Sequence, residues 1–507
     1  MPPPTAGLET ELKFELDSDM LEKLRGHPAL AAAAGAKRLR SVYFDTPHHD
    51  LKNSGVTLRV RETDDGYIQT VKRRQGAGLF DRNEWETAVA GVRPDLEAIR
   101  RTPVAGVLNG DGGKLAPIFA TIVDRRICLW RQGDALVELS LDEGEIAAGE
   151  QHEPIRELEL ELKEGAPSAL FSLARDLARE APMRLSFDSK GERGYRLAGH
   201  DGAAAIKAER TALSAQMTAG EAFHRVLHST LSQIAGNAQL LRRSRMPDAL
   251  HQTRVGLRRL RAALVAFKPI VADEVFPQVR AETKWLAGEL DEARDLDVFL
   301  HDTFAPAESA AEEDAAIAAL GVRLRHAQAD AYDRAVAALD SPRFAALLLD
   351  VAAWVEVGPW TLGAADRRDQ PAAAFGAASL SHLHHKVCKA GKHLDELDPP
   401  TRHKLRIKAK KLRYAAEFFG GAFGHKAERR RRAYLAALKA LQETLGQLND
   451  ISVARTLGPR FVGQRSGDLA FTAGLIVGRR EREEPALVKA SVAAFETFAN
   501  VRPFWPG

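Results

Sequence analysis

The stretch "ETELKFEL", residues 9–16, places Glu9, Glu11, Lys13 and Glu15 at odd positions and Thr10, Leu12, Phe14 and Leu16 at even ones. Strict alternation describes a β-strand with one charged face and one apolar face. Such a charged face ordinarily meets water. A later run, "IRELELELKEG" (155–165), repeats the pattern, with Glu157, Glu159, Glu161 and Lys163 on one face and Leu158, Leu160 and Leu162 on the other. Three carboxylates at i, i+2 and i+4 repel one another unless a cation sits among them. Other alternating runs carry the opposite sign: Arg59 and Arg61 flank Val60, and Lys72 shares a face with Thr70. Arg82, Glu84 and Glu86 share a face opposite Trp85.

If these strands close into a barrel with apolar faces outward, the lumen holds dense carboxylates and dense cations that apolar packing cannot satisfy. Carboxylate oxygens suit Mg²⁺ or Mn²⁺, and Arg and Lys suit phosphate oxygens. That inventory is the one a metal-assisted phosphoryl transfer requires.

Period-two runs dominate up to about residue 197, separated by turn sequences such as "TDDG", "RQGAG", "RQGD" and "DEGE". They predict an antiparallel barrel or sandwich. Helical patterns interrupt them at "SDMLEKLRGHPALAAA", despite Pro28, and at "SALFSLARDLAREA". From about residue 218 the period becomes 3.6, predicting an all-helical half. Residues 1–200 hold 28 Lys and Arg against 33 Asp and Glu, and the remainder holds 44 against 36. The second half therefore favours polyanions. Cys128 and Cys388 are too far apart for a CxxC site, which suits a reducing cytosol. "MPPPTAGL" lacks the basic and apolar regions of a signal peptide, and Asp350 and Glu356 interrupt the strongest apolar run, so no membrane partner is expected. His224 and His228, and the cluster His382, His384 and His385, lack the further ligands zinc needs. The Gly-rich "GVLNGDGGK" lacks the P-loop ending and reads as a surface loop.

The E-x-E-x-K of "ETELKFEL" resembles the signature of the CYTH, or triphosphate tunnel metalloenzyme, family. The resemblance continues in order through "YFDTPHHDLKNSGVTLRVRE", "QTVKRR", "RNEWE", "DRR", "VELSLDEGEI", "ELELELKEG" and "SKGERGY". It implies an eight-stranded antiparallel tunnel. It also implies metal ligation by Glu9, Glu11, Glu157, Glu159 and Glu161, with Mg²⁺ or Mn²⁺ as cofactor. Lys13, Arg59, Arg61, Lys72, Arg82, Arg126 and Lys190 are implied as phosphate-binding cations, and Glu138 and Asp142 as further acidic lumen positions. Lys13, Glu11, Arg59 and Arg61 are the expected catalytic set. Arg125 competes with Arg126 for the inward position, because their strand lacks clear alternation. The family includes inorganic, thiamine and RNA triphosphatases and some adenylate cyclases. Tyr43, Tyr67, Trp85 and Trp130 read as barrel packing rather than a base platform, so inorganic triphosphate is the expected substrate.

In the helical half, "HQTRVGLRRLRAAL" and "HKLRIKAKKLRYAA" share a basic stripe: His251, Arg254, Arg258 and Arg261, then His403, Arg406, Lys410 and Arg413. At 100° per residue each set falls on one helix face. "ELDEARDLDVF" and "TLGQLNDISVA" then repeat in the same order, aligning Arg294-Asp295 with Asn449-Asp450, which indicates an internal duplication. This pattern resembles the CHAD, or conserved-histidine α-helical, domain, which implies binding of inorganic polyphosphate by those eight residues. Sparse aromatic interleaving disfavours nucleic acid.

The expected architecture is a multidomain α+β chain. An N-terminal eight-stranded antiparallel β-barrel tunnel with flanking helices (1–200) and a linker (201–214) precede an all-α domain of two duplicated helical bundles (215–507, repeats about 215–360 and 375–500). The expected function is metal-dependent hydrolysis of inorganic triphosphate, in a cytoplasmic protein associated with polyphosphate granules. The alternatives are a polyphosphate-binding scaffold with little turnover, a nucleotide or thiamine triphosphatase, and an adenylate cyclase.

Overall fold

Alternation in the sequence becomes nine antiparallel strands in the computed structural model, which describes residues 5–31, 35–74, 81–108, 114–181, 183–199, 204–208, 211, 213–310, 314–363, 365–461 and 467–506. Packing divides the chain into two units, Met1–Ala205 with Ala345–Val357, and Ile206–Phe344 with Gly358–Gly507.

In the first unit the strands are β1 (Thr5–Glu15), β2 (Lys37–Asp45), β3 (Val56–Thr63), β4 (Gly66–Arg74), β5 (Asp81–Val89), β6 (Ala116–Gln132), β7 (Ala135–Ala148), β8 (Gln151–Glu164) and β9 (Arg184–Ser186). Their order is β5-β4-β3-β2-β6-β7-β8-β1-β9, and β1 also pairs with β5. Residues 5–10 of β1 pair with β5 and residues 11–15 with β8, so the first eight strands close into a ring. Short β9 continues beside β1 from Lys13 to Glu15. Closure removes the exposed edges that an open sheet would leave.

The even residues of "ETELKFEL" face outward. Leu12, Phe14, Leu158 and Leu160 are fully buried, beneath elements that include helix α1 (Ser168–Glu180), which packs on β8 and buries Leu170, Phe171, Leu173 and Leu177. Another outer core joins Val42, Phe44, Leu58, Val60, Val71 and Trp85 to Ile99 and Val104. The "SDMLEKLRGHPALAAA" pattern is two helices, Ser18–Arg25 and Pro28–Ala31, because the chain restarts at the proline.

Helix α2 (Lys190–Leu197) comes from "SKGERGYRL" and starts on a capping box between Ser189 and Glu192. Its Tyr195 joins Tyr43, Phe119, Val123, Ile146 and Ile155 in an apolar cluster. The strand members of that cluster share the inward parity of Arg125, Asp142 and Glu157, so this helix floors one end of the lumen. Tyr195 Oη donates to Asp45 at 2.7 Å, and Asp45 also accepts from the backbone of Thr46, Leu51 and Lys52. Gly194 permits this seating, since a Cβ there would lie 2.0 Å from the Phe119 ring. Gly194→Ala is expected to destabilise the barrel by about 1–3 kcal/mol through overpacking, read as a lowered midpoint in urea. An unchanged midpoint would show that α2 is free to shift.

The second unit is helical. Its first repeat contains α3 (Ala219–Ser244), α4 (Pro247–Ala266), α5 (Phe276–Glu289) and α6 (Asp291–Val298). The second contains α7 (Ala372–Ala390), α8 (Pro399–Phe419) and α9 (Glu428–Leu457). Ile206 within the expected linker is pinned to α3, exchanging hydrogen bonds of 2.9 Å with Asn237. Residues 345–357, which the periodicity assigns to the helical half, pack with the barrel unit, where Arg175 binds Asp350 at 2.9 Å. Pro342–Thr361 has the length and hydropathy to cross a bilayer, yet 61% of its apolar window is buried inside the protein.

Candidate active site

The odd residues of β1 and β8 meet across the ring: Glu11 is opposite Glu161, Lys13 opposite Glu159 and Glu15 opposite Glu157. Lys13 Nζ lies 3.1 Å from Glu159 and 3.8 Å from Glu11. From β6, Arg125 donates to both oxygens of Asp142, at 2.7 and 2.6 Å, and to Glu159 at 2.6 Å. Lys190, at the start of α2, reaches Asp142, Glu157 and Glu159 at 2.8, 2.5 and 2.9 Å. Arg193, one helical turn on, binds Glu157 and Glu153. Burial opposes ionisation of Glu159, but Lys13, Lys190 and Arg125 outweigh it and hold its carboxyl well below the usual range. Burial likewise disfavours the Lys190 ammonium, and the three carboxylates reverse that and raise its pKa.

Oxygens of Asp142, Glu157 and Glu159 lie within 4.8 Å of one another, close enough to share an ion. Lys190 already bridges all three. Farther along the lumen, Glu11, Glu161 and Glu138 occupy facing positions on β1, β8 and β7, with Lys163 at 2.6 Å from Glu161 and 3.6 Å from Glu138.

The basic wall lies across the ring. Strand β3 is four places from β8 in a ring of eight, so Arg59 and Arg61 stand diametrically opposite the glutamates. Glu84 on β5 lies 3.6 Å from Arg59 and 3.1 Å from Lys72. Tyr43, stacked on Phe119 at 4.4 Å, stands directly across the β2–β3 ladder from Arg59. Arg61 contacts Ser41 Oγ at 3.4 Å. Its pKa is pushed down to about 10, first by Arg59, then by burial and by Arg125. Mutually repelling guanidinium groups on one wall, opposite carboxylates on the other, form a lumen polarised for a chain of phosphates and a cation.

In the helical unit the two basic stripes meet. Phe267 and Phe419 each stand sixteen residues after the head histidine of their stripe, and their rings lie 5.0 Å apart. Contact between equivalent residues is what a pseudo-two-fold axis requires. Lys410 is half-buried, and burial, then Arg406 and Arg258, push its pKa down to about 6. Asp295 is raised to about 6 by burial, against the pull of Arg254, with Asp291 and the equivalent Asp450 raising it further. His251 falls to about 4 through burial, Arg294 and Arg258, so it is neutral at physiological pH. His403 contacts Asn449. Arg413 donates to Gln442 and pairs with Glu417. Arg261 is exposed and neighbours Lys411 instead of Lys410.

Comparison with known proteins places this geometry. A CYTH-domain family model matches residues 7–195, and a CHAD-domain model matches residues 225–458. The crystal structure of the CHAD domain from the plant Ricinus communis is 32% identical, with a TM-score of 0.52 over 58% of this chain and 97% of that one. The chain belongs to the CHAD family, and its N-terminal residues 7–195 match the CYTH domain. An inorganic triphosphatase of Haemophilus influenzae is 33% identical over 168 residues, which span 31% of this chain and 46% of the relative. An uncharacterised protein of Mycobacterium tuberculosis is 26% identical over 97% of this chain and 98% of its own length.

Within the CYTH domain the structure corrects one expected residue. Arg126 is exposed and points away from the lumen, and Arg125 is the inward cation. Register decides it: Arg125 pairs with Asp142 and Arg126 with Leu141, and cross-strand partners share a face. Glu9 lies beside Arg82 in the β1–β5 register, and the side chains of both fall outside the described residues. Sequence reasoning missed Arg193 as a lumen residue, although its i+3 spacing from Lys190 carried the signal. It also missed Tyr43 and Ser41 as neighbours of Arg59 and Arg61. In the CHAD domain, Asp291 went unnoticed as the partner of Arg254.

Proposed function

We propose that the CYTH domain hydrolyses inorganic triphosphate to pyrophosphate and phosphate with a bound divalent cation, and that the CHAD domain binds inorganic polyphosphate. The observation that carries the first part is the polarised lumen, with Arg59 and Arg61 on β3 opposite Glu157, Glu159 and Glu161 on β8. The similarity to an inorganic triphosphatase supports it.

The carboxylates divide by their surroundings. Asp142, Glu157 and Glu159 are matched by Lys190, Arg125, Arg193 and Lys13, so their charge is already offset. Glu11, Glu161 and Glu138 bring three carboxylates to facing positions, with Lys163 beside Glu161 and Glu138 and Lys13 at 3.8 Å from Glu11, so fewer cations stand among them. These carboxylates, joined by Glu9 as the E-x-E-x-K motif implies, are the donors that would hold Mg²⁺ or Mn²⁺; the set is all-oxygen, as those ions require. Glu157, 1% exposed and bound to Arg193 and Lys190, belongs to the ion-paired floor. A divalent ion in this place supplies a Lewis acid for phosphate oxygens and a more acidic bound water.

The chain's own cations do the rest. Arg61, repelled by Arg59 and Arg125, gains most from an anion beside it. Lys13, Arg59, Lys72 and Arg125 complete a ring of donors, with Lys190 at the floor, that would hold the phosphates in line and offset charge on the group in transfer. Tyr43 and Trp85 are consumed in packing, 3% and 7% exposed, which leaves the triphosphate itself as the recognised group. In parallel assays with Mg²⁺ and Mn²⁺, inorganic triphosphate is expected to turn over at least about tenfold faster than ATP or thiamine triphosphate, a gap worth about 1.4 kcal/mol. Faster hydrolysis of an organic triphosphate would overturn the substrate assignment, and cyclic AMP from ATP would replace it with a cyclase. Long polyphosphate bound without any turnover of triphosphate would favour a scaffold.

A further inference from the structure

The duplicated stripes occupy equivalent places about the pseudo-two-fold axis, but their neighbours differ. Superposing the repeats by sequence sets Asp291, Glu292, Arg294, Asp295 and Asp297 against Gly446, Gln447, Asn449, Asp450 and Ser452. The first segment therefore carries four carboxylates and a guanidinium where the second carries one carboxylate; Glu292 binds Arg334 and Arg460, and Asp297 binds Gln328 and Tyr332, which leaves Asp291 and Asp295 beside the first stripe. The consequence is direct at the paired arginines. Arg254 of the first stripe is neutralised by Asp291 and also donates to the carbonyl of Ala287 at 3.4 Å. Its counterpart Arg406 meets Gly446, whose ideal Cβ would lie 3.9 Å from Arg406 Nε and within 4 Å of no other described atom outside the surrounding turns of its own helix.

The Nε atoms of Arg254, Arg258, Arg406 and Arg413 are all buried without a hydrogen-bond partner among the described residues, so the two stripes differ in the partners of their terminal guanidinium nitrogens and not at Nε. Lys410 stands where the first repeat has Arg258, and its charged neighbours are Arg406, Arg258, Asp450 and Arg413. Arg258, Arg406, Lys410 and Arg413 stand against Asp450, Asp295 and Glu417, and this excess of positive charge, partly shielded from water, forms a site that an anion would stabilise. Arg294, which stands where the second repeat has Asn449, is spent on Asp297 at 3.8 Å and on suppressing protonation of His251.

We propose that the two repeats hold a polyanion unequally, with the second-repeat edge around Arg406 and Lys410, joined by Arg258 across the axis, gripping phosphates while Asp291 withholds Arg254. This rests on the reading of the CHAD domain as a polyphosphate binder and adds which half does the binding. The duplication would then have produced one contact edge and one structural edge.

Exchanging the residues that differ tests it. Long-chain polyphosphate is titrated calorimetrically into the full-length protein without divalent metal, so the barrel is common to every variant. Gly446→Asp gives the second repeat the carboxylate of the first, and is expected to weaken binding about tenfold and to flatten its salt dependence. Gly446→Ala adds a Cβ without charge and is expected to bind like wild type, which separates the charge from the side chain. Asp291→Gly releases Arg254 and is expected to tighten binding severalfold. Equal binding by wild type and both charge variants would overturn the asymmetry while leaving polyphosphate binding in place. Absence of binding by the wild type would remove the reading beneath it as well.

Discussion

Glu11→Gln is expected to lower the turnover of inorganic triphosphate by at least about 100-fold, with metal saturating. Glu11 is 8% exposed and stands opposite Glu161 across the β1–β8 ladder. The amide keeps the shape of the side chain and removes one negative charge from the proposed metal site. Lys13 retains Glu159 at 3.1 Å, so its charge stays compensated. Stability is therefore expected to hold, because the substitution also relieves repulsion between Glu11 and Glu161. A rate within threefold of wild type, with unchanged circular dichroism, would place the metal elsewhere or remove it from the reaction.

The second large effect concerns the floor of the lumen. Lys190→Met removes an ammonium that bridges Asp142, Glu157 and Glu159, leaving buried carboxylates with Arg125, Arg193 and Lys13 as partners. Breaking a buried ion cluster from one side costs about 3–5 kcal/mol. Thermal unfolding of the barrel is expected to fall by roughly 10 °C. Because the three carboxylates lie within 4.8 Å of one another, Mn²⁺ is expected to restore much of the loss in the variant and to shift the wild type far less. No loss of Tm would show that Arg125, Arg193 and Lys13 suffice. A loss without metal rescue would show that the cluster cannot accept an ion once Lys190 is gone.

Much of this was legible in "ETELKFEL". Alternation sets side-chain parity, and matching acidic and basic strands made an inward charged face the better reading. Parity failed where alternation fails: "DRRICLW" offers no apolar rhythm, so only its pairing with β7 selects Arg125 over Arg126. Glu15 continued the alternation without an assignable partner in sequence. In the fold it stands across from Glu157 and Arg184, and its charge helps hold Arg193 protonated. Arg193 itself sits 36 residues from Glu157 and meets it only because α2 folds back under the ring.

In the CHAD domain the stripes and the duplication followed from spacing. Their meeting at Phe267 and Phe419 did not, since helix period fixes a face but not what packs against it. Nor did the protonation states. His251, read as a potential phosphate donor, is held neutral by burial, Arg294 and Arg258.

The most direct test of the central claim is the initial rate of phosphate release from inorganic triphosphate by the full-length protein, with Mg²⁺ or Mn²⁺ and again with excess chelator. One phosphate and one pyrophosphate per triphosphate, formed with metal and lost with chelator, is the expected result. Hydrolysis that persists undiminished in chelator, or none in either metal, would contradict a metal-dependent triphosphatase built on this lumen.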